Sequence, residues 1–225
     1  IGKHLYGGLG QNPFNPAMIA FAPNTHEFLL RILSGLPTAT PRILSTDSEF
    51  HSFRRQATRL AEEGATLDCV PTEPFDTFAT RFIAAAHEHR PDLIYLSQVF
   101  FNSGFANLDL PALVHGLPAE CPVVIDGYHG YMAIPTNLSG VADRCFYLAG
   151  GYKYAMAGEG VCFCHVPPGW IHRPTNTGWY AEMATLADTV SGNVAYASNG
   201  SRFLGSTFDP AGLYRMRAVL QWFSD

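Results

Sequence analysis

No apolar run in the chain approaches the roughly 18 residues that cross a bilayer as a helix, so no membrane partner is expected. Lysine and arginine do not cluster, and 14 basic against 19 acidic residues leave a formal net charge of −5. That balance excludes the electrostatic footprint of a nucleic-acid binder. The start, Ile1-Gly2-Lys3-His4, lacks the basic-then-apolar order of a secretory leader. Five cysteines (Cys69, Cys121, Cys145, Cys162, Cys164) make an odd count, most of them inside apolar, strand-like runs. They fit buried thiols and a cytoplasmic location better than a disulfide framework. No Gly-x-Gly-x-x-Gly follows the first strand, which disfavours a Rossmann-type nucleotide binder, and Gly7-Gly8-Leu9-Gly10 reads as a flexible turn.

What is present is a chain of 225 residues, 47% hydrophobic, long enough to bury a large core without staples. Strand-like runs fall at Ala17–Ala22, Arg42–Ser45, Thr66–Val70, Asp92–Ser97, Pro122–Asp126, Arg144–Leu148 and Val161–Val166. Helical patterns separate them at Thr25–Leu36, Phe53–Glu63, Phe75–His89 and Leu110–His115. Alternation of this kind predicts an α/β fold: a three-layer αβα arrangement around a mostly parallel sheet. The expected organisation is one large domain over 1–225, with its sheet core at 17–166. An irregular Pro/Gly/Asn/Ser-rich region follows at 167–212, and a further amphipathic run, Leu213–Phe223, begins at about 213. Both ends read as cut.

Chemistry concentrates between Val123 and Gly160. Asp126 ends one apolar strand, His129 follows it, and the next strand runs into Gly150-Gly151-Tyr152-Lys153-Tyr154. Carboxyl ends of strands are where open α/β sheets bind ligands. An amine and a carboxylate delivered to one crevice form the pair that pyridoxal phosphate requires. Lysine, its pKa lowered by apolar neighbours such as Tyr152, Tyr154 and Met156, forms the Schiff base; the carboxylate keeps the pyridine nitrogen protonated. Taken singly, Lys153 reads as a solvated strand-end lysine and Asp126 as a helix N-cap.

The D-G-Y-H and Y-K-Y segments resemble the cofactor-lysine region of the class V aminotransferase family, most of all its kynureninase-like branch. The resemblance implies a fold type I pyridoxal-phosphate-dependent transferase-like large domain, with Lys153 and Asp126 catalytic. It implies that His129 lies beside the cofactor and that Tyr152 bonds its phosphate. It also places Asn24 and Thr25 at a phosphate-binding helix N-terminus, Phe50 stacked on the ring and Ser97 against the cofactor. Trp179 and Thr207 then reach the cofactor of a neighbouring subunit in a homodimer with a shared active site. Ordinary readings compete at each position: an N-cap for Thr25, core packing for Phe50, a turn for Ser97, packing for Trp179. Phe53 stands where kynureninases carry an aspartate, and the family's C-terminal small domain has no counterpart here.

The expected activity is therefore transamination or Cα/Cβ-bond lysis of a small amino-acid substrate, with no metal. A cysteine desulfurase-type lyase is the alternative within enzymes. A non-catalytic binding or assembly protein that keeps the fold is the alternative outside them. His87-Glu88-His89 is not read as a metal site, because i, i+2 spacing on a helix points the rings to different faces. Cys162-Phe163-Cys164-His165 is not, because its two thiols share a strand face but lack a second ligand pair.

Overall fold

The computed structural model describes residues 1–5, 15–170, 172–187 and 192–223. Gly7–Gly10 lies outside the described residues. After a short α1 (Gly2–Leu5), the chain runs β1 (Ile19–Ala22), α2 (Thr25–Ser34), β2 (Arg42–Thr46), α3 (His51–Glu62), β3 (Thr66–Val70) and α4 (Phe78–His89). It continues through β4 (Leu93–Ser97), α5 (Leu110–Gly116), β5 (Val123–Asp126), β6 (Cys145–Gly150), β7 (Cys162–His165) and α6 (Ala211–Trp222).

These strands form one sheet in the order β1-β7-β6-β5-β4-β2-β3. β3, β2, β4, β5 and β6 are parallel to their neighbours among one another, while β7 is antiparallel to both β6 and β1. Every residue of β4, β5, β6 and β7 is buried, as expected of strands covered on both faces. Side chains alternate between two cores with the period-2 pleat. Val123, Ile125, Tyr147 and Phe163 pack with Phe78, Phe82, Val114 and Met216 from α4, α5 and α6. Val124, Phe146, Leu148 and Cys164 pack with Phe28, Leu29, Ile32 and Phe53 from α2 and α3. The molecule is thus an αβα sandwich around a mostly parallel mixed sheet.

Local boundaries follow from capping and packing. Asn24 caps α2 by accepting a bond from the Glu27 amide at 3.1 Å. α3 begins at His51, two residues earlier than the apolar pattern places it, because its first two residues, His51 and Ser52, are polar and add nothing to that pattern. The helix expected from Phe75 opens instead as a 3-10 turn, Phe75–Thr77, and becomes α-helical at Phe78. Its buried stripe is Phe78, Phe82 and Ala86.

One feature of connectivity positions the site. From β2 the chain steps outward to β3, then returns to the opposite side of β2 for β4. The carboxyl ends of β2 and β4 therefore border the topological switch point, where a crevice opens in sheets of this type. Thr46, Ser97 and Asp126 stand at the carboxyl ends of β2, β4 and β5, with Ser97 and Asp126 in register.

Candidate functional site

Asp126 is nearly buried and doubly held at the tip of β5. Its Oδ2 accepts the Tyr95 hydroxyl at 2.9 Å, and its Oδ1 accepts the Tyr128 amide at 3.0 Å. Tyr95 is itself fixed, its ring stacked on Phe53 at 3.8 Å. These two bonds fix the orientation of the Asp126 carboxyl at the mouth of the crevice.

Lys153 follows the tip of β6, where Gly150 leaves room that a side chain would fill: a Cβ there would sit 2.5 Å from Cys162 Sγ and 2.7 Å from the Tyr128 hydroxyl. The Lys153 amine lies 2.8 Å from His129 Nε2, 4.6 Å from the Tyr128 ring centroid and 5.2 Å from that of Phe50. The ammonium donates to a neutral imidazole, or hands its proton to it. Burial holds Lys153 below the ordinary lysine value, opposed by Asp126 and then Cys162. His129 is likewise held below its usual value, by burial first and by the Lys153 charge second, with Asp126 opposing. The arrangement supplies a nucleophilic amine with a proton acceptor at contact distance and an anion nearby.

The neighbours expected to bury Lys153 do not do so. Tyr152, Tyr154 and Met156 are 56%, 55% and 60% exposed, because the segment after Gly151 turns outward. Phe50, Tyr128 and His129 shield the amine instead. Phe50 packs edge-on to Phe101 at 5.2 Å and to His129 at 6.4 Å.

Phe50, Asp126, His129 and Lys153 are therefore brought together. Thr25 joins them at one remove, its backbone bonding Cys162, whose thiol lies 3.7 Å from the Tyr128 hydroxyl. Asn24 serves as the cap of α2. Tyr152 bonds through its backbone to Tyr128, and its side chain points to solvent. The Ser97 hydroxyl is taken by Glu49 at 2.6 Å. Trp179 packs on Tyr180, centroids 4.2 Å apart, and Thr207 is exposed; among the described residues neither bonds Lys153. Glu49, Tyr95 and Tyr128 are site residues that sequence reasoning missed. Glu49 had a signal, an acid between a strand tip and a helix.

A cavity of about 770 Å³ lies between the first turn of α2 and α3, lined by His26, His51, Arg54, Arg55 and Arg59, with Glu62 the acidic exception. It borders the site through His51, whose ring lies 5.3 Å from Phe50. This is a basic approach to the crevice.

Competitive acylation against an unstructured lysine peptide checks the environment of Lys153. The amine should become reactive at lower pH than the peptide's, because its free form appears as pH rises through a depressed pKa. A coincident midpoint would show that burial does not govern it.

A family model described as the NQR2, RnfD, RnfE family matches residues 1–84. Among curated relatives, the D component of the ion-translocating oxidoreductase complex of Vibrio atlanticus (strain LGP32) is 34% identical over 129 residues, covering 52% of this chain and 36% of that protein. The chain spans about a third of the length of such relatives. Solved structures similar in shape include the cystine C-S lyase C-DES in complex with its product cysteine persulfide. It has a TM-score of 0.73 and 22% identity, covering 93% of this chain and 57% of that one. Histidinol-phosphate aminotransferase from Sinorhizobium meliloti, in complex with pyridoxal-5'-phosphate, has a TM-score of 0.64 at 18% identity, covering 99% of this chain and 54% of that one. Likeness at these identities shows the fold alone.

The sequence matches correct the expected family. They fall on the NQR2/RnfD/RnfE family model and on components of ion-translocating oxidoreductase complexes, not on class V aminotransferases or kynureninases. With the family go the inferences drawn from it: pyridoxal phosphate as cofactor, and aminotransferase or lyase activity on an amino acid. The homodimer with a shared active site and no membrane association, and the cytoplasmic location, are corrected too, since the relatives are named as one component of an ion-translocating complex. Among the described residues no helix is long and apolar enough to cross a membrane. The matched segment 1–84 spans α1 to the first half of α4 and ends before Asp126, His129 and Lys153.

Proposed function

We propose that the sheet is built as the large domain of fold type I enzymes and that its crevice captures a small anionic carbonyl compound, with Lys153 as the reacting amine. The observation that carries this reading is the Lys153–His129 contact at 2.8 Å beside Asp126. Shape similarity at a TM-score of 0.73 over 93% of the chain supports the fold assignment. In this reading His129 accepts the ammonium proton, the neutral amine adds to the carbonyl carbon, and one water leaves as the imine forms. Asp126 orders the mouth through Tyr95 and Tyr128, and Phe50 excludes water from the amine. The basic cleft of His26, His51, Arg54 and Arg55 draws in the ligand's anionic group. Asn24 and Thr25 present the start of α2 to the anion.

Glyoxylate, the smallest anionic aldehyde, is the probe. Incubation followed by borohydride reduction should leave a carboxymethyl group on Lys153, read by peptide mass mapping. Labelling spread over other amines, with Lys153 unmodified, would refute the assignment.

A second reading concerns where the domain works, and rests on the match of residues 1–84 and on the curated relatives. It places the chain in a multi-component ion-translocating oxidoreductase complex, held there by the other polypeptides. A tagged chain expressed in its native cell should then sediment with membranes and co-purify with redox proteins after detergent extraction. Quantitative recovery in the supernatant, without partners, would remove this reading.

A further inference from the structure

Glu49 follows β2 at the switch point and is 4% exposed. Its Oε2 accepts the Ser97 hydroxyl at 2.6 Å; its Oε1 accepts the Thr46 hydroxyl at 2.6 Å and the Ser97 amide at 3.2 Å. One carboxyl therefore ties the tip of β2 to the tip of β4. Ser97 in turn is the register partner of Asp126 on β5. Two acids, Glu49 after β2 and Asp126 at the end of β5, thus flank the tip of β4, nearly out of water.

We propose that Glu49 is a positioning residue that clamps the tips of β2 and β4 and shares the site's negative charge with Asp126, so that it takes up or releases a proton according to pH and to the charge placed on Asp126. The titratable groups facing it are Tyr95 on β4, Asp126 on β5 and Cys69 on β3; Asp47 on its own loop acts on Cys69 and accepts the Thr72 amide. Lys153 and His129 lie beyond Asp126.

Burial is the main influence on Glu49 and pushes it up to about 7 from an ordinary 4.5; the Ser97 and Thr46 hydroxyls pull it down, and Asp126 pushes it up. Ionised, Glu49 accepts all three bonds and adds a second negative charge beside Asp126. Protonated, it has a proton to donate, and the Ser97 or the Thr46 hydroxyl must reverse from donor to acceptor to keep its contact. Further negative charge in the crevice, such as that of the anionic ligand, adds to the repulsion and favours proton uptake by Glu49. Binding at the site and proton uptake are then linked, and the linkage is reciprocal.

The device rests on and deepens the ligand-capture reading, but its test needs no ligand, so the two can fail separately. In protein labelled with carboxyl-¹³C glutamate, one resonance, absent from Glu49→Gln, should titrate near 7 rather than near 4.5. Asp126→Asn should lower that midpoint, and Ser97→Ala should raise it. Opposite displacements by two near-isosteric changes are not what a purely structural contact produces. Thermal stability supplies a second readout. A carboxyl raised on folding contributes stability below 4.5 that is lost as pH rises through 7, so melting temperature should fall across that window in wild type and less in Glu49→Gln. A Glu49 resonance titrating with the other glutamates, or one that Asp126→Asn leaves unmoved, overturns the proposal. Should Asp126→Asn fail to fold, the wild-type midpoint alone still decides.

Discussion

Replacing Lys153 by alanine should abolish the borohydride-trapped glyoxylate adduct while leaving the fold intact. The amine is half-buried rather than a core group, and its one hydrogen bond goes to His129, which is itself half-exposed and can turn to water. Loss of folding is therefore not a route to loss of signal, and an unchanged circular dichroism spectrum checks the point. Only one other lysine, Lys3, exists in the chain, so peptide mapping resolves which amine reacts. His129→Ala sharpens the assignment. It keeps the nucleophile and removes the proton acceptor, so capture should slow by about 10²-fold, the lower scale of a positioned base. If His129→Ala captures glyoxylate at the wild-type rate, the 2.8 Å contact has no part in the chemistry. If Lys153→Ala still yields the adduct at the crevice, the site is not built around this amine.

The layered fold was legible because apolar runs and amphipathic helices alternate, and burial on both faces turns the central strands into continuous hydrophobic stretches. The direction of β7 was not legible, since a run such as Cys162-Phe163-Cys164-His165 reads the same whichever way the strand lies. Asp126, His129 and Lys153 were legible as a group because each follows or ends an apolar run at the same edge of the sheet. Glu49 carried only the signal of its place between a strand tip and a helix; its role was not legible, because its partner Ser97 is 48 residues away and only the sheet order brings β2 beside β4. The shielding of Lys153 was assigned to its sequence neighbours, whereas Phe50 and Tyr128 provide it across the crevice. Short motifs suggested a family that the longer sequence matches do not support. D-G-Y-H and Y-K-Y are a few residues at two strand tips and lie outside the segment 1–84.

Phe146→Ala should be the most destabilising single change that leaves every site residue in place. Phe146 is fully buried on β6, and its ring meets Trp170 at 4.9 Å and Phe203 at 5.3 Å, both nearly perpendicular. Those two aromatics belong to the irregular region, so one side chain anchors that region to the sheet. Arg202 reinforces the anchor by donating to the Trp170 carbonyl. Truncation removes the transfer free energy of the ring and leaves a cavity that the two aromatic neighbours cannot close. The cost should be about 3–5 kcal/mol. In a chain of this length that lowers the melting temperature by roughly 6–20 °C. The damage should also be directional. Proteolysis should cut first between Pro167 and Thr207, where the anchor is lost, while the parallel core through β4, β5 and β6 keeps its amide protection until global unfolding. Uniform loss of protection would mean that the irregular region and the sheet melt as one unit, and that Phe146 contributes only bulk to the core.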